Sequence, residues 1–156
     1  MSLRNQRGFS LVEIAVVLVI GGLILGFSTP ALNRYLTKAR LRDSASRIAS
    51  EMRVARQKAV SNNSRVWFWT WGNVNYYWIG EQKWQGGSTW SGTAWKGPFY
   101  LPSTVRVTNP SFGGLNYFWY TPDGRPSGSG SMSLVSTAAD PDTIEVHVDL
   151  SGSVWQ

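Results

Sequence analysis

An apolar run near the start of the chain constrains its folding more than any other feature. Residues 9–27 read FSLVEIAVVLVIGGLILGF, nineteen residues with a single charge, Glu13. A helix needs about 20 such residues to cross a bilayer, so the pattern predicts a membrane-spanning helix over residues 9–30. A carboxylate one turn inside hydrocarbon costs about 2.5–3.5 kcal/mol, which a plain anchor does not explain. We therefore expect Glu13 to have a partner and a role.

The segment that follows, residues 31–64, has the pattern of an amphipathic helix. Its apolar positions recur mostly at steps of three and four, which places them on one helix face. Asn62-Asn63-Ser64 ends the pattern, so the joined helix is expected to run from about Phe9 to about Ser61. The predicted stripe consists of Leu32, Tyr35, Leu36, Ala39, Ala45, Ile48, Ala49, Met52, Ala55, Ala59 and Val60.

The positive charge of the chain is concentrated on this second helical segment. The net charge is +6, yet residues 34–65 alone carry nine bases against Asp43 and Glu51. Arg34, Lys38 and Arg42 are spaced by four, so they cluster on one helix face. Arg53 and Arg56 are spaced by three and cluster in the same way. Such a face either stays solvated beside anionic lipid headgroups or contacts nucleic acid, and the spacing leaves both interpretations open.

Residues 65–156 change to the pattern of short strands separated by turns, which predicts an antiparallel sheet or two. The helix stripe is expected to pack against these strands, giving an α+β fold. Gly80–Gly97 is polar and glycine-rich, and predicts a loop with a short hairpin around Trp84 and Trp90. The predicted strands cover residues 65–71, 76–79, 99–101, 104–108, 117–120, 131–135 and 143–150.

The composition argues against an enzyme. There is no cysteine and one histidine, His147, which has no catalytic partner by spacing. Disulfides and thiolate sites are thereby excluded, and we predict neither a cofactor nor a metal. One alternative stays open, because four acids in the 140–149 segment suggest calcium, which takes oxygen ligands. These are Asp140, Asp142, Glu145 and Asp149.

All nine tryptophans lie at or after Trp67. Trp67, Trp69 and Trp71 alternate, so they share one face of a strand. We predict that this face packs in the core against the helix, and the alternative is an aromatic platform for sugars or unstacked bases. A second set lies among glycine, serine and threonine and is the better candidate for contact with a ligand or a subunit: Trp84, Trp90 and Trp95.

The first residues carry a family resemblance. Arg7-Gly8-Phe9-Ser10-Leu11-Val12-Glu13 resembles the class III signal of type IV prepilins and pseudopilins. The resemblance implies that a prepilin peptidase removes the leader, residues 1–8, by cutting between Gly8 and Phe9. Phe9 then becomes the N-methylated terminus. The resemblance also implies that Glu13 meets the terminal amine of a neighbouring subunit.

Later motifs resemble the GspH/FimT group of minor pseudopilins. These motifs are the helix end around Glu51–Val66, Pro122-Asp123-Gly124-Arg125, and Ile144–Val148 followed by Asp149–Val154. The resemblance implies a type IV pilin-like fold, in which a long N-terminal helix packs on an antiparallel β domain, residues 65–156. Ser153 replaces an arginine that many relatives have in this tail, which weakens the case for DNA binding.

The function that the resemblance implies is structural. The chain would be a minor pilin or pseudopilin of a type IV pilus or a type II secretion pseudopilus. It would be a single-pass inner-membrane protein, with its exported domain in the periplasm or outside the cell. Its partners would be other pilin subunits and the prepilin peptidase. The alternative is a pilus-tip module that binds DNA or a glycan, with contacts from Arg34, Lys38, Arg42, Trp84, Trp90 and Trp95.

Overall fold

The computed structural model describes residues 9–86, 89–138 and 141–156, with the backbone alone described for residues 27–31, Trp84, Gly86 and Trp90. The chain divides into two compact units, one ending at Leu36 and the other spanning Thr37–Gln156. Leader residues 1–8, Gly8 among them, lie outside the described residues, and so does Asp140.

One helix, α1, spans Leu11–Ser61 and confirms the predicted helix to within two residues at its start. It begins with the carbonyl of Ser10, which accepts the N–H of Ile14 at 3.2 Å. It ends where Asn63 takes a positive φ of 47°. Asparagine tolerates this left-handed conformation better than most residues, so the Asn62-Asn63 pair is a physical stop signal.

The first unit presents an apolar surface. The side chains of residues 9–26 are exposed, apart from half-buried Gly21, and Leu11 is 84% exposed. An exposed apolar surface of this extent marks contact with lipid or with another protein. Among the side chains that the structure describes, no helical stretch combines the length and the hydropathy that a membrane span requires.

In the second unit the apolar stripe of α1 packs against the strands. Leu41 opens this stripe and was missing from the predicted one. Four predicted members at its start are exposed, and Ala39 falls off the face that Leu41 and Ala45 share. These members are Leu32, Tyr35, Leu36 and Ala39. At the far end Val60 is 53% exposed, so the stripe ends one residue earlier than predicted. The buried members are Leu41, Ala45, Ile48, Ala49, Met52, Ala55 and Ala59.

Nine strands follow in the described part of the chain. They are β1 (Ser64–Thr70), β2 (Tyr76–Gly86), β3 (Thr89–Trp90), β4 (Ala94–Tyr100), β5 (Val105–Phe112), β6 (Tyr117–Tyr120), β7 (Gly130–Ser136), β8 (Thr143–Val148) and β9 (Val154–Trp155). All the pairings are antiparallel. The first sheet has β1 between β6 and β2, and both β3 and β4 pair with β2. The second sheet has the order β5-β7-β8-β9.

The predicted loop Gly80–Gly97 is wrong in most of its length. Strand β2 continues to Gly86, and β4 begins at Ala94. The hairpin predicted around Trp84 and Trp90 is confirmed, because these two residues pair between β2 and β3. Strand pairing satisfies the backbone of this glycine-rich stretch, whose local sequence does not favour strands.

The alternating tryptophans do not lie in the core, so that prediction is wrong. Along β1 the side chains of Val66, Phe68 and Thr70 are buried, whereas Trp67 and Trp69 are half-buried. Trp71 is 47% exposed. Both faces of β1 are apolar, and the period of two does not say which of them turns inward. The smaller residues turn inward. The ring of Phe68 stacks on the ring of Tyr77, with 5.3 Å between the centroids, and on the ring of Phe118, with 5.7 Å between the centroids.

The buried phenol of Tyr120 predicts an alkaline limit of stability. Its side chain is fully buried, and its hydroxyl has no hydrogen-bond partner among the described residues. Burial raises the pKa of Tyr120 to about 12, whereas an unfolded tyrosine titrates near 10. The raised pKa of Tyr120 means that the buried neutral phenol contributes its full stability below pH 10, and that this contribution to the free energy of unfolding is lost as the pH rises to about 12.

Tyr120→Phe is therefore expected to lose about 1.4 kcal/mol less stability than the wild type between pH 7 and pH 11, and to change stability at pH 7 by less than about 1 kcal/mol. The measurement is the free energy of unfolding in urea at pH 7 and near pH 11. Tyr100→Phe, at a side chain that is 62% exposed, is the control and should follow the wild type. An alkaline loss in Tyr120→Phe equal to that of the wild type would contradict the assignment.

Candidate functional sites in the helix and on the first sheet

The N-terminal segment places its one carboxylate on an apolar surface. Phe9 is 79% exposed, and Glu13 is exposed in the first turn of α1. A negative charge in the first helical turn is favoured by the helix dipole. Phe9 and Glu13 line one shallow hollow, together with Ile14, Val17 and Leu18. This surface offers a single anionic group to a cation on another molecule.

The basic residues predicted to contact a ligand have exposed side chains. Arg34 belongs to the first unit, and Lys38 and Arg42 to the second. Lys38 Nζ lies 4.0 Å from Asp142 Oδ2, and both side chains are largely exposed. An exposed pair of this kind contributes at most about 1 kcal/mol. The three bases therefore have the properties of a solvated helix face.

Two further arginines of α1 hold the C-terminal part of the domain. The guanidinium of Arg56 donates from Nε to the carbonyl of Gly124 and from Nη2 to the carbonyl of Ser151, both at 3.0 Å. Arg53 Nη2 donates to the carbonyl of Val154 at 2.8 Å. Hydrogen bonds from charged donors are about twice as strong as neutral ones. Sequence reasoning grouped these bases with the solvated face and missed their role.

Glycines allow the two loops to approach Arg56. Gly124 and Gly152 both have a φ of +79°. A Cβ on Gly152 would lie 2.5 Å from the Gly124 carbonyl oxygen and 2.8 Å from Arg56 Nε. Gly152 N also donates to the Asp149 carbonyl at 2.7 Å, closing the tail turn. Gly152, the glycine of the Asp149–Val154 motif, is thus required by a close contact. This requirement does not depend on which residue follows it.

The turn before β7 is held by its own side chains. Thr121 Oγ1 donates to the carbonyl of Arg125 at 2.7 Å and also hydrogen-bonds to the carboxylate of Asp123. The hydrogen bond from Thr121 lowers the pKa of Asp123, with a smaller contribution from the Arg125 charge 3.6 Å away. This carboxylate is exposed and keeps its charge in the native state. Its role is that of a turn residue.

Three of the four acids considered for calcium are used separately, and the fourth, Asp140, lies outside the described residues. Asp142 Oδ1 accepts the N–H of Thr143 at 3.0 Å, and Asp149 Oδ1 accepts the N–H of Leu150 at 2.8 Å. Glu145 Oε2 lies 3.2 Å from Nε2 of His147. Within the described residues, no group of three or more potential ligands could hold a metal. His147 also stacks on the ring of Trp155 at 5.6 Å.

The outer surface of the first sheet carries a cluster of aromatic side chains, here called the aromatic face. The indole of Trp67 lies 4.5 Å from that of Trp119 and 5.7 Å from the ring of Tyr117. The ring centroid of Trp69 lies 5.0 Å from that of Trp71 and 5.6 Å from that of Trp95. Its members come from three strands, β1, β4 and β6, and from Trp71, which directly follows β1: Trp67, Trp69, Trp71, Trp95, Tyr117 and Trp119.

A glycine in β2 shapes this face. Gly80 pairs with Trp67 on one side and with Trp95 on the other. A Cβ at Gly80 would lie 2.9 Å from Cε3 of Trp95 and 2.5 Å from the methyl group of Thr93. Gly80 therefore leaves the space in which the Trp95 ring lies against the sheet. The structure brings Trp95 into this cluster, whereas the side chains of Trp84 and Trp90 lie outside its description.

The aromatic face contains a small pocket. Its volume is about 130 Å³, and its walls are Trp67, Trp69, Trp95 and Tyr117. Trp67 Nε1 donates to Oε1 of Gln82 at 2.9 Å. The indole N–H of Trp69 is sheltered from solvent and has no hydrogen-bond partner among the described residues. The alternation of tryptophans predicted their shared face, but no sequence signal indicated the pocket.

Comparison with known proteins identifies the family. The model of the prokaryotic N-terminal methylation motif matches residues 3–29, and that of the type II transport protein GspH matches residues 44–153. The comparisons with curated proteins and with solved structures gave no match. The second family match covers more than half of the chain and coincides with the helix and sheets of the second unit. The chain therefore belongs to the GspH family of type II transport proteins and carries the N-terminal methylation motif.

Proposed function

We propose that the chain is a structural subunit of a filament, a minor pseudopilin of a type II secretion pseudopilus or a minor pilin of a type IV pilus. This proposal is supported by one observation above all: the chain joins a GspH family match to a methylation motif and a helix with exposed apolar side chains. The GspH family consists of structural pseudopilin subunits, so chemistry is performed on this chain by a processing enzyme.

Processing would convert the chain into an assembly-ready subunit. A prepilin peptidase cuts between Gly8 and Phe9, and Phe9 is methylated on its new amine. Residues 9–30 then hold the subunit in the inner membrane, with the second unit exported. The nineteen-residue run with one charge supports this proposal, because membrane insertion covers its apolar side chains.

Assembly would exchange lipid for other subunits along the same helix. The apolar side chains from Phe9 to Gly26 are exposed and need a covering surface in either environment. The partners are other pilin or pseudopilin subunits. The carboxylate of Glu13 would pair with the terminal amine of a neighbour and set the register between helices.

DNA binding, the alternative role, has less support. Arg53 and Arg56 donate to backbone carbonyls, so their guanidinium groups are engaged within the domain. The family resemblance leads us to expect arginine at the tail position that Ser153 occupies. A protein that binds DNA needs several free cations to neutralise phosphates. The contacts of Arg53 and Arg56 support a structural role for these two residues, and a DNA-binding role would rest on the exposed Arg34, Lys38 and Arg42.

The N-terminal peptide of the protein recovered from membranes tests the proposal. We expect the peptide to begin at Phe9 and to be one methyl group heavier than the encoded sequence, as measured by mass spectrometry. Gly8→Lys is expected to leave the leader attached, because the bulky charged side chain replaces the glycine at the cut bond. Gly22→Ala, a change distant from the bond, is the control and should be processed normally. An intact leader on the wild-type chain would overturn the proposal.

Deletion of the gene then separates the two filament types. Loss of sheared surface pili, restored by complementation, would assign the chain to a type IV pilus. Unchanged pili together with loss of secreted proteins from the medium would assign it to a secretion pseudopilus. If the deletion causes neither loss, this result would contradict a role in filament assembly.

A further inference from the structure

The pocket in the aromatic face has no part in the proposed assembly role. The wall residue Trp95 is 41% exposed on β4, so the pocket is open to ligands. Large aromatic side chains normally cover a core, yet these lie on the side of the sheet away from it. Gly80 keeps the Trp95 ring in place, so the pocket has a built shape. Such an arrangement requires an explanation other than packing.

We propose that this pocket binds a neutral hexopyranose unit of a glycan. Its four walls, Trp67, Trp69, Trp95 and Tyr117, carry no charge. The face of an indole ring is partially negative, so it attracts the C–H groups on the apolar side of a pyranose ring. The geometry therefore offers stacking surfaces on several sides of one small volume of about 130 Å³.

A polar side chain beside the pocket complements the stacking surfaces. Gln82 accepts from Trp67 Nε1 and retains its amide N–H groups for further hydrogen bonds. Apolar walls with a few placed polar groups are typical of small-molecule sites.

Unstacked nucleic-acid bases fit this pocket less well. Proteins that bind single strands combine stacking with a positively charged groove that follows the phosphates. Arg65 is the cation that β1 places on this face, and its guanidinium carbon lies 5.8 Å from the centroid of the Trp119 ring. Nothing charged stands among the four wall residues. The lining is therefore matched to a neutral ligand.

The test uses the full chain, purified in lauryldimethylamine oxide, a detergent that has no sugar headgroup. The probes are cellohexaose, maltohexaose, mannohexaose, β-1,4-galactohexaose and chitohexaose, with twelve-residue oligothymidylate as the nucleic-acid probe. Isothermal calorimetry measures binding, and tryptophan fluorescence reports contact with the indoles. We expect at least one hexaose to bind with a dissociation constant below about 1 mM.

Variants connect the binding to the pocket. Trp95→Ala removes one wall and is expected to weaken hexaose binding at least about tenfold. Gly80→Ala keeps every aromatic residue but displaces the Trp95 ring, and should weaken binding as well. Trp155→Ala removes a tryptophan that is 48% exposed on the second sheet, and is the matched control. Far-ultraviolet circular dichroism checks that each variant keeps the native fold.

Three outcomes would overturn the proposal. The first is the absence of binding by every hexaose up to about 10 mM. The second is wild-type affinity in folded Trp95→Ala or Gly80→Ala, and the third is binding of oligothymidylate without any hexaose. The proposed assembly role is read from processing and filament recovery, so failure of this inference leaves it standing.

Discussion

Replacing Glu13 with valine is expected to lower recovery of the chain in the filament fraction by about 100-fold or more. Removing one partner of a buried charge pair costs about 3–5 kcal/mol, because the other charge stays buried and unpaired. Every 1.4 kcal/mol is about a factor of ten in an equilibrium constant, so such a cost dominates assembly. The measurement is quantitative immunoblotting of the filament fraction against the membrane fraction, in cells that carry the variant as their single copy.

Val12→Leu is the matched control, because it changes a neighbouring exposed apolar side chain and leaves the charge in place. It should be processed and incorporated as the wild type is. Glu13→Val should also be processed, so its N-terminal peptide should still begin at Phe9. Incorporation of processed Glu13→Val at the wild-type level would show that Glu13 has no pairing role.

Replacing Gly130 with alanine is expected to lower the free energy of unfolding by about 3 kcal/mol or more. Gly130 begins β7 and pairs with Phe112 of β5. A Cβ at this position would overlap the carbonyl oxygen of Ser111 and lie 2.7 Å from Cα of Phe112. Both obstacles are backbone atoms, so no side-chain rotation relieves the clash. The two strands would have to separate and lose cross-strand hydrogen bonds.

Urea unfolding of the full chain in detergent, followed by circular dichroism, measures this loss. Gly92→Ala is the control, because a Cβ there meets nothing within 4 Å. It should change the free energy of unfolding by less than about 0.5 kcal/mol. Equal stability of the two variants would show that β5 and β7 have room for a side chain between them.

Local sequence patterns predicted the helix and several strands correctly. The start and stop of α1 follow from an apolar run and an asparagine pair, both of which act within a few residues. Strand β6 was predicted at Tyr117–Tyr120, where the structure places it. The methylation motif is also local, because it is a short contiguous stretch, and the family match at residues 3–29 confirms the resemblance.

Features that depend on partners distant in sequence were missed. The Gly80–Gly97 segment is rich in glycine and polar residues, which individually disfavour strands. Pairing with β1 and within its own hairpins nevertheless forms strands in most of this segment. Arg53 and Arg56 look like members of a solvated basic face. Their acceptors are carbonyls of Gly124, Ser151 and Val154, which only the folded chain brings to the helix.

Trp67, Trp69 and Trp71 show where local sequence information ends and tertiary information begins. Alternation by itself determined that Trp67, Trp69 and Trp71 share a face, because side chains of a strand point to opposite sides in turn. Only the tertiary structure decided that this face is the outer one. The helix packs on the side of Phe68, where Tyr77 and Phe118 complete the core, and a strand pattern has a period but no inward direction.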